Sequence, residues 1–97
     1  SIIGQGKGYR MKKVRVMPGK TLSMQMHYHR TEHWVVLRGT AEVVRGEERM
    51  FVHEEESVFI PQTVKHQLSN PGKIPLEVIE IQNGAYISED DIVRLSN

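Results

Sequence analysis

Ninety-seven residues, 38% of them hydrophobic, can build one core and no more, so residues 1–97 read as a single domain. The formal charge of +1 comes from 13 basic and 12 acidic side chains scattered without a block, which gives no footing for nucleic acid or an anionic membrane. Cysteine is absent, which excludes disulfides and thiolate metal sites, fits a cytoplasmic protein, and leaves nitrogen and oxygen as the only metal donors.

In chain order, Ser1–Gly8 carries glycines at 4, 6 and 8 and is expected to be an irregular, flexible arm. Val14–Met17 is β-rich and stops at Pro18-Gly19. Leu22, Met24, Met26 and Tyr28 then alternate with Ser23, Gln25, His27 and His29, which predicts a strand with one apolar and one polar face. His33–Leu37 and Thr40–Val44 predict two more strands, and Arg45–Glu48 a hairpin turn returning through Arg49–Val52. After the charged Glu54–Glu56 come short strands at Ser57–Ile60 and His66–Ser69, a turn at Asn70–Gly72, and a closing strand at Leu76–Gln82. In the tail, 88–97, Ser88 before Glu89, Asp90 and Asp91 looks like the cap of one helical turn. About eight short strands punctuated by Gly and Pro, with no sustained helical period, indicate an all-β sandwich or barrel.

Pro18–Gly39 concentrates three of the five histidines and the only Trp, and Ile60–Asn70 adds His66. Residues two apart on a strand share a face, so Gln25, His27 and His29 are expected to point together. A lone histidine is more often an ordinary polar residue than a ligand. A His-x-His with a nearby Glu and a later His before Asn favours a divalent cation.

These segments resemble the cupin family, whose first motif reads G-x5-H-x-H-x3–4-E-x6-G and whose second reads G-x5-P-x-G-x2-H-x3-N. One register takes His27 and His29 as the pair, with Glu32 or His33 following; the other takes Gln25 and His27 and fits Gly19, Glu32 and Gly39 without a gap. The second is preferred. The second motif runs through Pro61, His66 and Asn70, with Thr63 where a Gly is usual. The resemblance implies a jelly-roll barrel, the cupin double-stranded β-helix.

A closer resemblance covers nearly the whole chain, through L-S-M-Q-M-H-Y-H-R-T-E-H-W and I-P-Q-T-V-K-H-Q-L-S-N to D-D-I-V-R. It is to the C-terminal cupin domain of type II phosphomannose isomerases, usually the isomerase half of bifunctional enzymes that also carry mannose-1-phosphate guanylyltransferase activity. Type I phosphomannose isomerases hold zinc on a Gln-x-His pair, a Glu with a Lys two residues before it, and a later His. Gln25, His27, Glu32 and His66 match that set, with Arg30 in the Lys position. The nucleotide loop of the guanylyltransferase half has no counterpart here, so the expected activity is isomerisation alone, either free-standing or as part of a longer enzyme.

The resemblance implies a metal-dependent isomerase acting between mannose 6-phosphate and fructose 6-phosphate in GDP-mannose biosynthesis, with zinc first among the metals and manganese, iron, cobalt or nickel as alternatives. The base at carbon is expected to be His29, or else His33. Arg30 and Arg94 are expected to serve the substrate's phosphate, with Lys20 and Lys65 flanking the motifs. A solvated surface role competes for both lysines, and a pair with Asp90 or Asp91 competes for Arg94. Trp34 reads as core before it reads as a sugar platform, and His53 shows no ligand spacing. The rival readings are a non-catalytic sugar-binding or sugar-nucleotide-binding cupin and a small metal-dependent dioxygenase. A homodimer is expected by analogy with other small cupins.

Overall fold

In a computed structural model, residues 1–95 are described, and they form two five-stranded antiparallel sheets packed face to face. The strands are β1 (Ile2–Gly6), β2 (Tyr9–Val16), β3 (Gln25–His27), β4 (Arg30–Arg38), β5 (Ala41–Arg45), β6 (Glu48–Val52), β7 (Ser57–Ile60), β8 (His66–Ser69), β9 (Leu76–Gly84) and β10 (Ile92–Arg94). The first sheet runs β1-β2-β9-β4-β7 and the second β10-β3-β8-β5-β6. None of the described helices is long and apolar enough to cross a membrane.

Alternation decides what each strand buries. Along β4, Arg30, Glu32, Trp34 and Val36 are buried while Thr31, His33 and Val35 face outward. The register of β4 with β9 sets Val36 opposite Val78, Trp34 opposite Glu80 and Glu32 opposite Gln82. On β2 the inward residues follow the same gradient, since Val16 faces Leu76, Val14 faces Val78, Lys12 faces Glu80 and Arg10 faces Gln82. One end of the sandwich is therefore apolar. There Val16, Val36, Leu76 and Val78 meet Ala41, Val43, Val52 and Leu68 of the second sheet, all 4% exposed or less. Toward the other end the same inner face turns polar.

The link from β4 to β5 turns at Gly39, whose φ of +86° suits glycine and where a Cβ would lie 3.2 Å from the Pro75 carbonyl oxygen. Asn70, ending the second motif, is fully buried and holds a neighbouring turn. Its Nδ2 donates to the carbonyls of Val16 and Ile74 at 2.9 and 2.8 Å, and its Oδ1 accepts from Gly72 N–H. Thr63, in the motif's usual Gly position, takes a φ of +62°.

Three expectations change. The Gly-rich start is not irregular: Ile2–Gly6 pairs with β2 as an exposed edge strand, where few side chains need packing and glycine costs little. The strand expected over 22–29 keeps regular pairing only at Gln25–His27. Tyr28 and His29 form a bend, because their N–H groups donate to the buried Asp91 carboxylate at 3.2 and 2.9 Å. The helical turn in the tail shrinks to a 3₁₀ turn at Glu89–Asp91 without a Ser88 side-chain cap, after which the β-branched Ile92 and Val93 pair with β3. Residues 96 and 97 of that tail lie outside the described residues.

Candidate metal centre

His27, Glu32 and His66 come from three strands and two sheets, and their ligand atoms lie within 4.8 Å of one another. All three side chains are buried, at 3%, 3% and 4% exposure. The reason is local. His27 is the last inward residue of β3, and His66 opens β8 directly opposite Gln25, so His66, Gln25 and His27 share the inner face of the second sheet. Glu32 faces them from the first sheet, one step beyond Trp34.

Each donor is oriented by its neighbours. The Nδ1 of His66 lies 3.0 Å from the Val64 carbonyl, which can only accept, so Nδ1 carries the proton and Nε2 is left as the lone-pair nitrogen. Trp34 Nε1 donates to Glu32 Oε1 at 2.7 Å, and Arg30 Nε donates to Glu32 Oε2 at 2.9 Å. The Nε2 of His27 lies 3.1 Å from Glu32 Oε2 and 3.3 Å from Arg30 Nη2. It sits between an acceptor and a donor and cannot satisfy both as one tautomer. A cation at that nitrogen removes the conflict, and the donor set of two imidazoles and a carboxylate suits a borderline divalent metal. Gln25 lines the same cavity with its Nε2 donating to Ser23 Oγ at 2.8 Å, which leaves its carbonyl oxygen as a fourth donor.

Electrostatics follow the geometry. Burial pushes the Glu32 carboxyl up, but hydrogen bonds from His27 and Trp34 and the charge of Arg30 outweigh it, bringing it from 4.5 down to about 2. Burial likewise lowers His66 and keeps its ring neutral, as a ligand must be, against the opposing pull of the Val64 carbonyl and Glu32. Glu80, on the cavity wall opposite Trp34, is pushed up to about 7 by burial and by the Glu32 charge, with Lys12 and Arg30 opposing.

The cavity is about 230 Å³ and takes in Gln25, Arg30, Glu32, His66 and Arg94 of the residues picked out by sequence. His27 is not part of that lining but sits against it, its ring 4.9 Å from the His66 ring. The rest fall elsewhere. His29, expected inward beside His27, is exposed in the bend after β3, its ring edge-on to Tyr86. His33 is on the outward face of β4, against Phe59. Lys20 is exposed in the loop before β3, and Lys65 reaches Glu47 at 3.2 Å on the outside. Arg94 makes no ion pair among the described residues. Asp91 is occupied by the bend and Asp90 accepts from the Tyr86 hydroxyl. Sequence reading passed over Lys12, Glu80 and Gln82, and missed that the core residue Trp34 also holds Glu32. The available signal was alternation, which carries the apolar face of Leu76 and Val78 straight on to Glu80 and Gln82.

The family model described as mannose-6-phosphate isomerase C-terminal matches residues 1–97. The chain belongs to this family. The chain is 55% identical over 95 residues to the xanthan biosynthesis protein XanB of Xanthomonas campestris pv. campestris, covering 98% of its own length and 20% of that protein. It is 52% identical over 95 residues to the mannose-1-phosphate guanylyltransferase RfbM of Salmonella typhimurium, again covering 98% of the chain and 20% of the relative. The domain thus spans about a fifth of the length of these curated relatives. Among solved structures, a Klebsiella pneumoniae protein with a double-stranded β-helix domain aligns over 100% of this chain and 83% of its own, with a TM-score of 0.87 and 15% identity. That likeness shows the fold, the cupin-type double-stranded β-helix expected from the motifs.

Proposed function

We propose that this domain is a metal-dependent aldose–ketose isomerase interconverting mannose 6-phosphate and fructose 6-phosphate. The supporting observation is the buried His27–Glu32–His66 cluster, opening onto a cavity lined by Arg30 and Glu80, in a member of the isomerase C-terminal family. Gln25, His27, Glu32 and His66 would hold the metal, with zinc as first choice for this donor set. Bound there, a divalent cation supplies Lewis-acid polarisation of the sugar's O1 and O2.

The remaining work belongs to the chain. Moving a proton between C2 and C1 through an enediol needs one group that accepts it and returns it on the same side. His29 and His33 lie outside the cavity, so we assign this role to Glu80, a carboxylate on the cavity wall that forms no ion pair among the described residues. Arg30 is 4% exposed, and its Nη1 is buried without a partner. That free N–H is suited to a sugar oxygen gaining negative charge, at the same time as Nε of the same side chain holds Glu32. Trp34 fixes the other Glu32 oxygen and walls the cavity with an apolar surface that excludes water.

A coupled assay of fructose 6-phosphate formation, run on chelated and zinc-reloaded protein, tests the reading. Activity lost with chelator and regained with zinc is the expected result. Sugar binding without turnover in loaded protein would favour a sensor or assembly cupin instead.

A further inference from the structure

The cavity has a direction. Its metal cluster is the buried end, with the three side chains no more than 4% exposed. At the other end stand two cations, one on each sheet. Lys12 of β2 faces inward opposite Glu80 and lines the cavity, with its side chain 27% exposed. Arg94 of β10 lies opposite Gln25 of β3, so it shares the cavity-lining face of that strand, and it is exposed. Neither is firmly committed. The Lys12 ammonium is 4.0 Å from Glu89, whose own side chain is 67% exposed and screened by water, and Arg94 has no ion pair among the described residues. Arg30, by contrast, is tied to Glu32.

We infer that Lys12 and Arg94 form a clamp, one jaw per sheet, for the phosphate of the substrate. The inference rests on the sugar-phosphate reading of the same site. An aldose 6-phosphate carries its reacting carbons at one end and its dianion at the other, and the cavity offers a set of candidate metal donors at depth and two loosely engaged positive side chains at the mouth. An ammonium and a guanidinium give up to eight N–H donors to three phosphate oxygens, with Arg94 able to bind in a forked fashion. Lys20 and Lys65 have no part in the clamp, since neither lines the cavity.

The clamp is tested by calorimetric titration of zinc-loaded protein with inorganic phosphate, mannose 6-phosphate and unphosphorylated mannose, alongside steady-state kinetics. Lys12→Met and Arg94→Gln are each expected to weaken phosphate and mannose 6-phosphate binding about tenfold and to raise KM accordingly, with kcat within about twofold. Mannose binding is expected to stay unchanged, Lys12→Arg to recover most of the loss, and Lys65→Met to behave as wild type. Phosphate binding that depends on Lys12 in a protein without turnover would keep the clamp and remove the isomerase assignment. Turnover with an unaltered KM in Lys12→Met would do the reverse. Wild-type protein that binds no phosphate, or a Lys12→Met variant that loses mannose and mannose 6-phosphate alike, would overturn the clamp.

Discussion

Strand β4 runs through two environments within four inward positions. Val36 and Trp34 belong to the apolar core, with Trp34 at its boundary, edge-on to His66 and donating to Glu32, while Glu32 and Arg30, on the same face two and four residues before Trp34, lie among His27, His66 and Gln82. β9 pairs with both ends of the strand, irregularly beyond Val36, and β7 flanks Glu32–Val35, so side-chain chemistry is the main difference between the two ends. The apolar end is stabilised by removal of surface from water, which is non-directional and tolerant of exchange. The polar end is held by hydrogen bonds in a dry setting, where one missing partner leaves a buried charge exposed to the full cost of desolvation. Stability should therefore map to one end and chemistry to the other.

The largest separation is expected from Glu32→Ala and His66→Ala, each of which should abolish metal binding and activity, read by metal analysis and the coupled assay. The same change at the outlying His53, which contacts Thr40, should alter neither. Next, Glu80→Gln should lower kcat by about 10²–10⁴-fold while zinc content is unchanged, the signature of a lost proton-transfer group. At the other end, Leu76→Ala should cost roughly 2–5 kcal/mol in denaturant unfolding and leave the metal affinity of the folded protein intact. Equal effects of Leu76→Ala and Glu32→Ala on both readouts would erase the distinction between the two ends.

The pH dependence of stability sharpens it further, because the two carboxylates have opposite signs in the cation-free protein. Glu32 titrates near 2 when folded instead of 4.5, so its contribution is present above about pH 4.5 and is lost as pH falls through about 2. Glu80 titrates near 7 when folded, so the folded state holds a proton that the unfolded state has released, and stability declines as pH rises from about 4.5 through 7. Urea unfolding of Glu80→Gln should lack that decline. The smallest effect belongs to Thr63, a β-branched residue at a φ of +62° whose N–H donates to the His27 carbonyl at 2.7 Å. Thr63→Gly should keep that bond and gain roughly 1 kcal/mol by relieving the backbone.

Much of this was legible in the chain. Glycine and proline punctuation and period-two alternation placed β5, β7 and β8 within a residue of their observed bounds, and motif spacing brought His27, Glu32 and His66 together across sheets. What alternation did not give is where it stops. His29 continues the pattern of Gln25 and His27 on paper, but Asp91, 62 residues away, captures its N–H and turns the chain outward. Edge strands β1 and β10 were missed for a related reason: their pairing is supplied by β2 and β3, and an exposed edge leaves little hydrophobic pattern to read. On β2, Arg10 and Lys12 disguised an inward face that Val14 and Val16 continue, because a strand entering a polar site loses the contrast on which the pattern depends.

Crystals grown with zinc and measured at the zinc absorption edge would put the central claim to its most direct test. The account predicts one anomalous peak, lying between the His27 and His66 rings and the Glu32 carboxylate. A zinc-loaded, active protein with no peak there, or with its peak at another position, would contradict it.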